Sequence, residues 1–91
     1  MNYNAIVTVV GPDRVGIIAE ICTLLAEMKL NVVEISQTIM SSMFTMIMRV
    51  QPTEGAPAFD EIQQRMSEKG KQMSLSIRIQ REDIFNAMHT V

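Results

Sequence analysis

Between Val32 and Gln51 the sequence alternates with period two, and only Ser41-Ser42 interrupts it. Val33, Ile35, Gln37 and Ile39 stand against Val32, Glu34, Ser36 and Thr38. After the serines, Phe44, Met46, Met48 and Val50 stand against Met43, Thr45, Ile47 and Arg49. Period-two alternation sends successive side chains to opposite faces of a strand. A two-residue gap leaves room for a tight turn and nothing else, so the two runs predict a β-hairpin. Each strand has one mostly apolar face, and the rest of the chain must cover it.

The flanking segments supply that cover. Tyr3 to Val10 is a β-type run, nearly continuous in apolar residues at its end, and Gly11-Pro12-Asp13 is expected to stop it. Asp13 suits a helix N-cap, and the spacing predicts a helix from there to about Met28 or Lys29. Val15, Ile18, Ile21, Cys22, Leu25 and Met28 make its apolar face, which Ile17 and Leu24 widen beyond what one sheet would cover. Leu30-Asn31 reads as the following turn. Beyond the hairpin, Pro52 to Pro57 is a loop rich in breakers. Pro57 suits the first turn of a second helix and Gly70 the position just past its end. Phe59, Ile62 and Met66 give that helix a narrow apolar stripe. Met73, Leu75, Ile77 and Ile79 alternate as a last strand, and a short C-terminal helix is expected at about 82–89.

The order is β-α-β-β-α-β. Right-handed crossovers of the two β-α-β halves interleave into an α+β, ferredoxin-like sandwich: a four-stranded antiparallel sheet with two helices on one face. With 91 residues there is room for a single domain, residues 1–91. Apolar residues make up 47% against 20% charged, more than a lone domain of this size needs, so a homodimer or tetramer is expected.

Several function classes are excluded by what the chain lacks. A net charge of −2 gives no field toward nucleic acid, and the hairpin and first strand offer few aromatics for base stacking. One cysteine, Cys22, and one histidine, His89, leave no metal site, no disulfide and no CxxC pair. Cys22 falls on the apolar helix face, without a base, so no catalytic constellation forms and the chain is not expected to be an enzyme. No cofactor is implied. Of the nine methionines, Met40, Met43, Met46 and Met48 crowd the hairpin, but alternation splits these four between opposite faces, which favours packing over metal binding. Met1-Asn2-Tyr3-Asn4 lacks a signal-peptide pattern, and no apolar run approaches the ~18 residues of a membrane span. The expected setting is cytoplasmic, with no membrane partner.

What remains is the strand-to-helix segment. Gly16 in a first helical turn costs up to ~1 kcal/mol relative to alanine. Either the backbone packs closely there, or a ligand approaches it. Free amides at a helix start attract a carboxylate. Asp13 either caps or meets a ligand, and Asn31 either turns the chain or reads one.

Gly11-Pro12-Asp13-Arg14-Val15-Gly16-Ile17-Ile18-Ala19 resembles the D-R-[PV]-G-[IL]-[IVL]-A signature of ACT domains. Leu25-Ala26-Glu27-Met28-Lys29-Leu30-Asn31-Val32 resembles their helix-exit signature, with Lys29 where the family carries glycine. The segments Ile35–Met40 and Phe44–Met48, and the tail Ile84–Met88, resemble the stand-alone ACT proteins of the UPF0237 group. The resemblance implies a homo-oligomeric regulatory module that binds an amino acid or related small molecule at a subunit interface. It implies ligand contacts from Gly11, Asp13, Gly16 and Ile17, with Asn31 and Ile35 from the same or the facing chain. The serine-binding members carry histidine where Gly11 stands and asparagine where Asp13 stands. The alternative is a dimerisation module without a ligand.

Overall fold

The computed structural model describes residues 3–84. The elements are β1 (Ala5–Pro12), α1 (Ile17–Glu27), β2 (Leu30–Met40), β3 (Met43–Pro52), α2 (Phe59–Met73) and β4 (Ser76–Arg81). They form one four-stranded antiparallel sheet in the order β2-β3-β1-β4, so β2 and β4 are its edges. The register puts Val7 between Met48 and Ile79, and Val9 between Met46 and Ile77. These residues are buried and join Ile17, Ile21, Leu24 and Leu25 of α1 and Ile62 and Met66 of α2 in one core. The two helices therefore cover one face, as the α+β, ferredoxin-like reading expects. Met43, Thr45, Ile47 and Arg49 take the other face. There Arg49 pairs with Glu34 of β2 and, at 2.7 Å, with Glu82.

The start of α1 differs from expectation. Asp13 does not cap it. The N-cap is Gly16, at φ 93°, and the first helical bond is Glu20 N–H to the Gly16 carbonyl at 3.0 Å. This positive φ turns the chain before the helix begins, which takes residues 13–15 off the helical face. Val15 is accordingly 99% exposed and no part of the apolar face. The buried set is Ile17, Ile21, Leu24, Leu25 and Met28, while Ile18 and Cys22 are half-buried. A side chain at Gly16 would meet nothing within 4 Å, so close packing is not what requires glycine. The left-handed backbone is.

Other boundaries shift for local reasons. β1 runs on through Gly11 to Pro12, because both residues stay in register with Phe44 and Met43. Leu30-Asn31 already belongs to β2, and the turn is made by Lys29 at φ 62°. The Lys29 carbonyl accepts bonds from both the Thr53 N–H (2.9 Å) and its hydroxyl (2.6 Å), which hold a lysine in a glycine-like conformation. A bulge between Val32 and Glu34 changes the faces of β2: Val32, not Val33, shares a face with Ile35, Gln37 and Ile39. Pro57 precedes α2, whose N-cap is Ala58. Gly70 lies inside α2, whose exit is Ser74 at φ 58°. Met73 and Leu75 consequently fall in the last turn and the connection, outside β4. Of the helix expected at about 82–89, residues 82–84 are helical and the remainder lies outside the described residues.

Candidate functional site

β1 and β2 both pair antiparallel with β3, so they run in the same direction. The Met40 end of β2 therefore lies beside the Pro12 end of β1, across the hairpin tip. The β1–α1 loop leaves the sheet at that corner. The Asp13 N–H donates to the Ser42 carbonyl at 2.9 Å, which fixes the loop to the tip.

The corner holds an open cleft of about 290 Å³. One wall is Asp13, Arg14 and the start of α1 from Gly16 to Ala19; the other is Gln37 and Ile39 of β2, with Phe44 of β3 at the floor. Because Gly16 offers no side-chain cap, the amides of Ile17, Ile18 and Ala19 precede the first helical bond and have no partner within the helix. Their dipoles favour a negative group. The Asp13 carboxylate adds the opposite preference at the rim. Arg14 is turned toward Glu20, 3.9 Å away. Ile17, Ile39 and Phe44 give an apolar surface between these groups.

Of the six residues singled out from the sequence, Asp13, Gly16 and Ile17 come together here. Gly11 does not line the cleft. It is buried opposite Phe44, and a methyl there would require the end of the Leu75 side chain to move aside. Ile35 shares the face of Gln37 but stands one pleat further along, opposite Met48. Asn31 pairs with Gln51 at the other end of the strand, eight residues from Ile39 and so roughly 26 Å away. Within one chain it does not reach the cleft. Sequence reading missed Gln37, Ile39 and Phe44. A signal was present: a two-residue hairpin, combined with β1 antiparallel to β3, already brings the far end of β2 to the β1–α1 loop.

Other clefts are differently made. The one between α1 and α2, about 240 Å³, is lined by charges that neighbours already pair: Arg65 with Glu27 at 3.7 Å and Lys69 with Glu20 at 3.5 Å. Among the described residues no group of three or more His, Cys, Asp or Glu is placed to hold a metal ion. No helix among them is long and apolar enough to cross a membrane.

Comparison with known proteins follows this architecture closely. A sequence model of the ACT domain matches residues 4–80. The UPF0237 protein of Clostridium acetobutylicum is 51% identical over 88 residues, covering 97% of this chain and 99% of that one. An ACT domain protein from Streptococcus pneumoniae, of known structure, superposes with a TM-score of 0.82 at 34% identity, covering 93% and 96% of the two chains. The formyltetrahydrofolate deformylase of Burkholderia mallei shares the fold, with a TM-score of 0.77 at 16% identity. The match takes in 87% of this chain but 28% of that one, so the same fold there is one part of a larger protein.

Proposed function

This chain belongs to the ACT domain family, and on that premise we propose that it is a regulatory module that binds an amino acid or related metabolite as a homo-oligomer. Members of the family commonly bind small molecules of this kind in regulation. The observation that carries the reading is the cleft in which Asp13, Gly16 and Ile17 face Gln37 and Ile39. Its groups match a zwitterion. The first-turn amides of α1 suit the carboxylate, Asp13 suits the ammonium, and Ile39 with Phe44 suits an apolar side chain. Gln37 carries both an amide donor and an acceptor and reads either end. The cleft binds and does not catalyse, and the module works in the cytoplasm with Cys22 reduced.

Assembly completes the site in this reading. β2 is an 11-residue edge strand, and from Val33 to Met40 its residues are exposed. Such an edge is a template for another strand. Antiparallel pairing of two β2 strands about a two-fold axis centred near Ile35 brings the two Ile35 residues together on the helix-side face, whereas the bulge leaves Asn31 on the open face, opposite Gln51. Ile35 then contributes from the facing chain, and Asn31 does not. A thermal-shift screen against the twenty amino acids and common metabolites tests the proposal, and a reproducible upward shift with one of them is expected.

The exposed β2 edge also favours a second reading, a pairing module without a ligand. That reading expects the oligomer and no shift with any compound.

A further inference from the structure

We propose that Met40 and Met43 form a site of methionine sulfoxidation at the tip of the hairpin. The seven described methionines fall into two populations. Met28, Met46, Met48, Met66 and Met73 are at most 3% exposed, whereas Met40 is 70% and Met43 46% exposed. The two exposed residues are also cross-strand partners. They flank Ser41-Ser42, whose φ values of 50° and 69° make the primed turn that two-residue hairpins prefer. Both stand on the sheet face that the helices leave open.

The chemistry needs a hydroperoxide such as hydrogen peroxide. The thioether sulfur attacks one peroxide oxygen, an S–O bond forms and the O–O bond breaks. The sulfur is oxidised by two electrons to a sulfoxide, and the other oxygen leaves as water. Access of the oxidant to sulfur sets the rate, so the exposed pair reacts and the core methionines do not.

The consequence is local and directional. A sulfoxide is polar, so the cross-strand pair loses its apolar contribution beside the turn. The tip frays, and with it the Ser42 carbonyl that accepts from Asp13 N–H. Oxidation of the pair thus loosens the loop that walls the candidate cleft. Its regulatory meaning rests on the cleft reading, but the loosening itself is measured with no ligand.

The test treats the full chain with millimolar hydrogen peroxide at neutral pH. Peptide mass mapping follows each methionine, and NMR follows exchange of the Asp13 amide. Met40 and Met43 should oxidise at least ~tenfold faster than the five buried methionines. Asp13 exchange should then rise about twofold to fivefold, as expected for loss of one cross-strand pair, with α2 amides unchanged. In the Met40→Leu/Met43→Leu double variant, peroxide should leave Asp13 exchange where it was. Comparable oxidation of the buried methionines would overturn the proposal. So would an Asp13 amide indifferent to oxidation, or an equal rise in the double variant.

Discussion

Gly70 and Leu75 touch through their backbones: the Leu75 N–H donates to the Gly70 carbonyl at 2.8 Å, and a methyl group on Gly70 would stand 2.7 Å from the Leu75 carbonyl oxygen. Helix propensity alone favours alanine over this interior glycine by ~1 kcal/mol. The clash is with backbone, which yields little, and overpacking of this kind costs about 1–3 kcal/mol. Gly70→Ala should therefore lower stability in urea unfolding. A variant more stable than the parent would show that α2 and β4 are not packed this closely.

At Gly16 the constraint is the reverse: there is space, but the backbone is left-handed. Gly16→Ala should cost about 1–2 kcal/mol, and Gly16→Asn less, because asparagine tolerates this conformation. Equal stability of all three proteins would remove the conformational role.

Tyr3 links the two ends of the described chain. Its ring meets Phe59 edge-on at 5.7 Å and lies under the Arg81 guanidinium at 4.7 Å. Its hydroxyl is buried without a hydrogen-bond partner among the described residues. Burial raises the phenol pKa above 10.0, and the Arg81 charge lowers it by less. Folding thus favours the neutral phenol. The contribution is fully present below pH 10 and is lost as pH rises through the higher folded value. Denaturant titrations should show parental stability falling above pH 10 more steeply than that of Tyr3→Phe, with little difference at pH 7. Parallel curves would contradict this.

The β2 edge carries the assembly prediction. Sedimentation at micromolar concentration should show a dimer or tetramer for the parent. Ile35→Lys places a charge on a half-exposed edge position, so it should shift the protein toward monomer while far-ultraviolet circular dichroism stays unchanged. A monomeric parent, or an unaltered oligomer in the variant, would place the pairing surface elsewhere or nowhere.

Much of this fold was legible in local periodicity. Phe44, Met46, Met48 and Val50 share the buried face their alternation predicts, and Ile62 with Met66 mark the buried stripe of α2. What periodicity could not carry were events that change phase. The positive φ at Gly16 separates Val15 from the helix that spacing assigns it to, and the bulge at β2 exchanges Val33 for Val32. Gly70 looked like a helix stop because tertiary contact, which selects a glycine there, leaves no local trace. The site was half legible for a related reason. Asp13, Gly16 and Ile17 are contiguous in sequence, whereas Gln37 and Ile39 join them through strand register.

The proposed ligand of the cleft between the β1–α1 loop and β2 is a small zwitterion. Titration calorimetry decides this, using whichever compound stabilises the parent, on the parent and on Asp13→Ala, Gln37→Ala and Asn31→Ala. A zwitterion site predicts saturable binding to the parent. It predicts affinity weakened more than tenfold, about 1.4 kcal/mol, by Asp13→Ala and by Gln37→Ala. Asn31→Ala should leave the affinity unchanged, because the bulge sets its side chain on the open face of the sheet. Unchanged affinity in Asp13→Ala and Gln37→Ala, or no saturable heat from any compound screened, would contradict it.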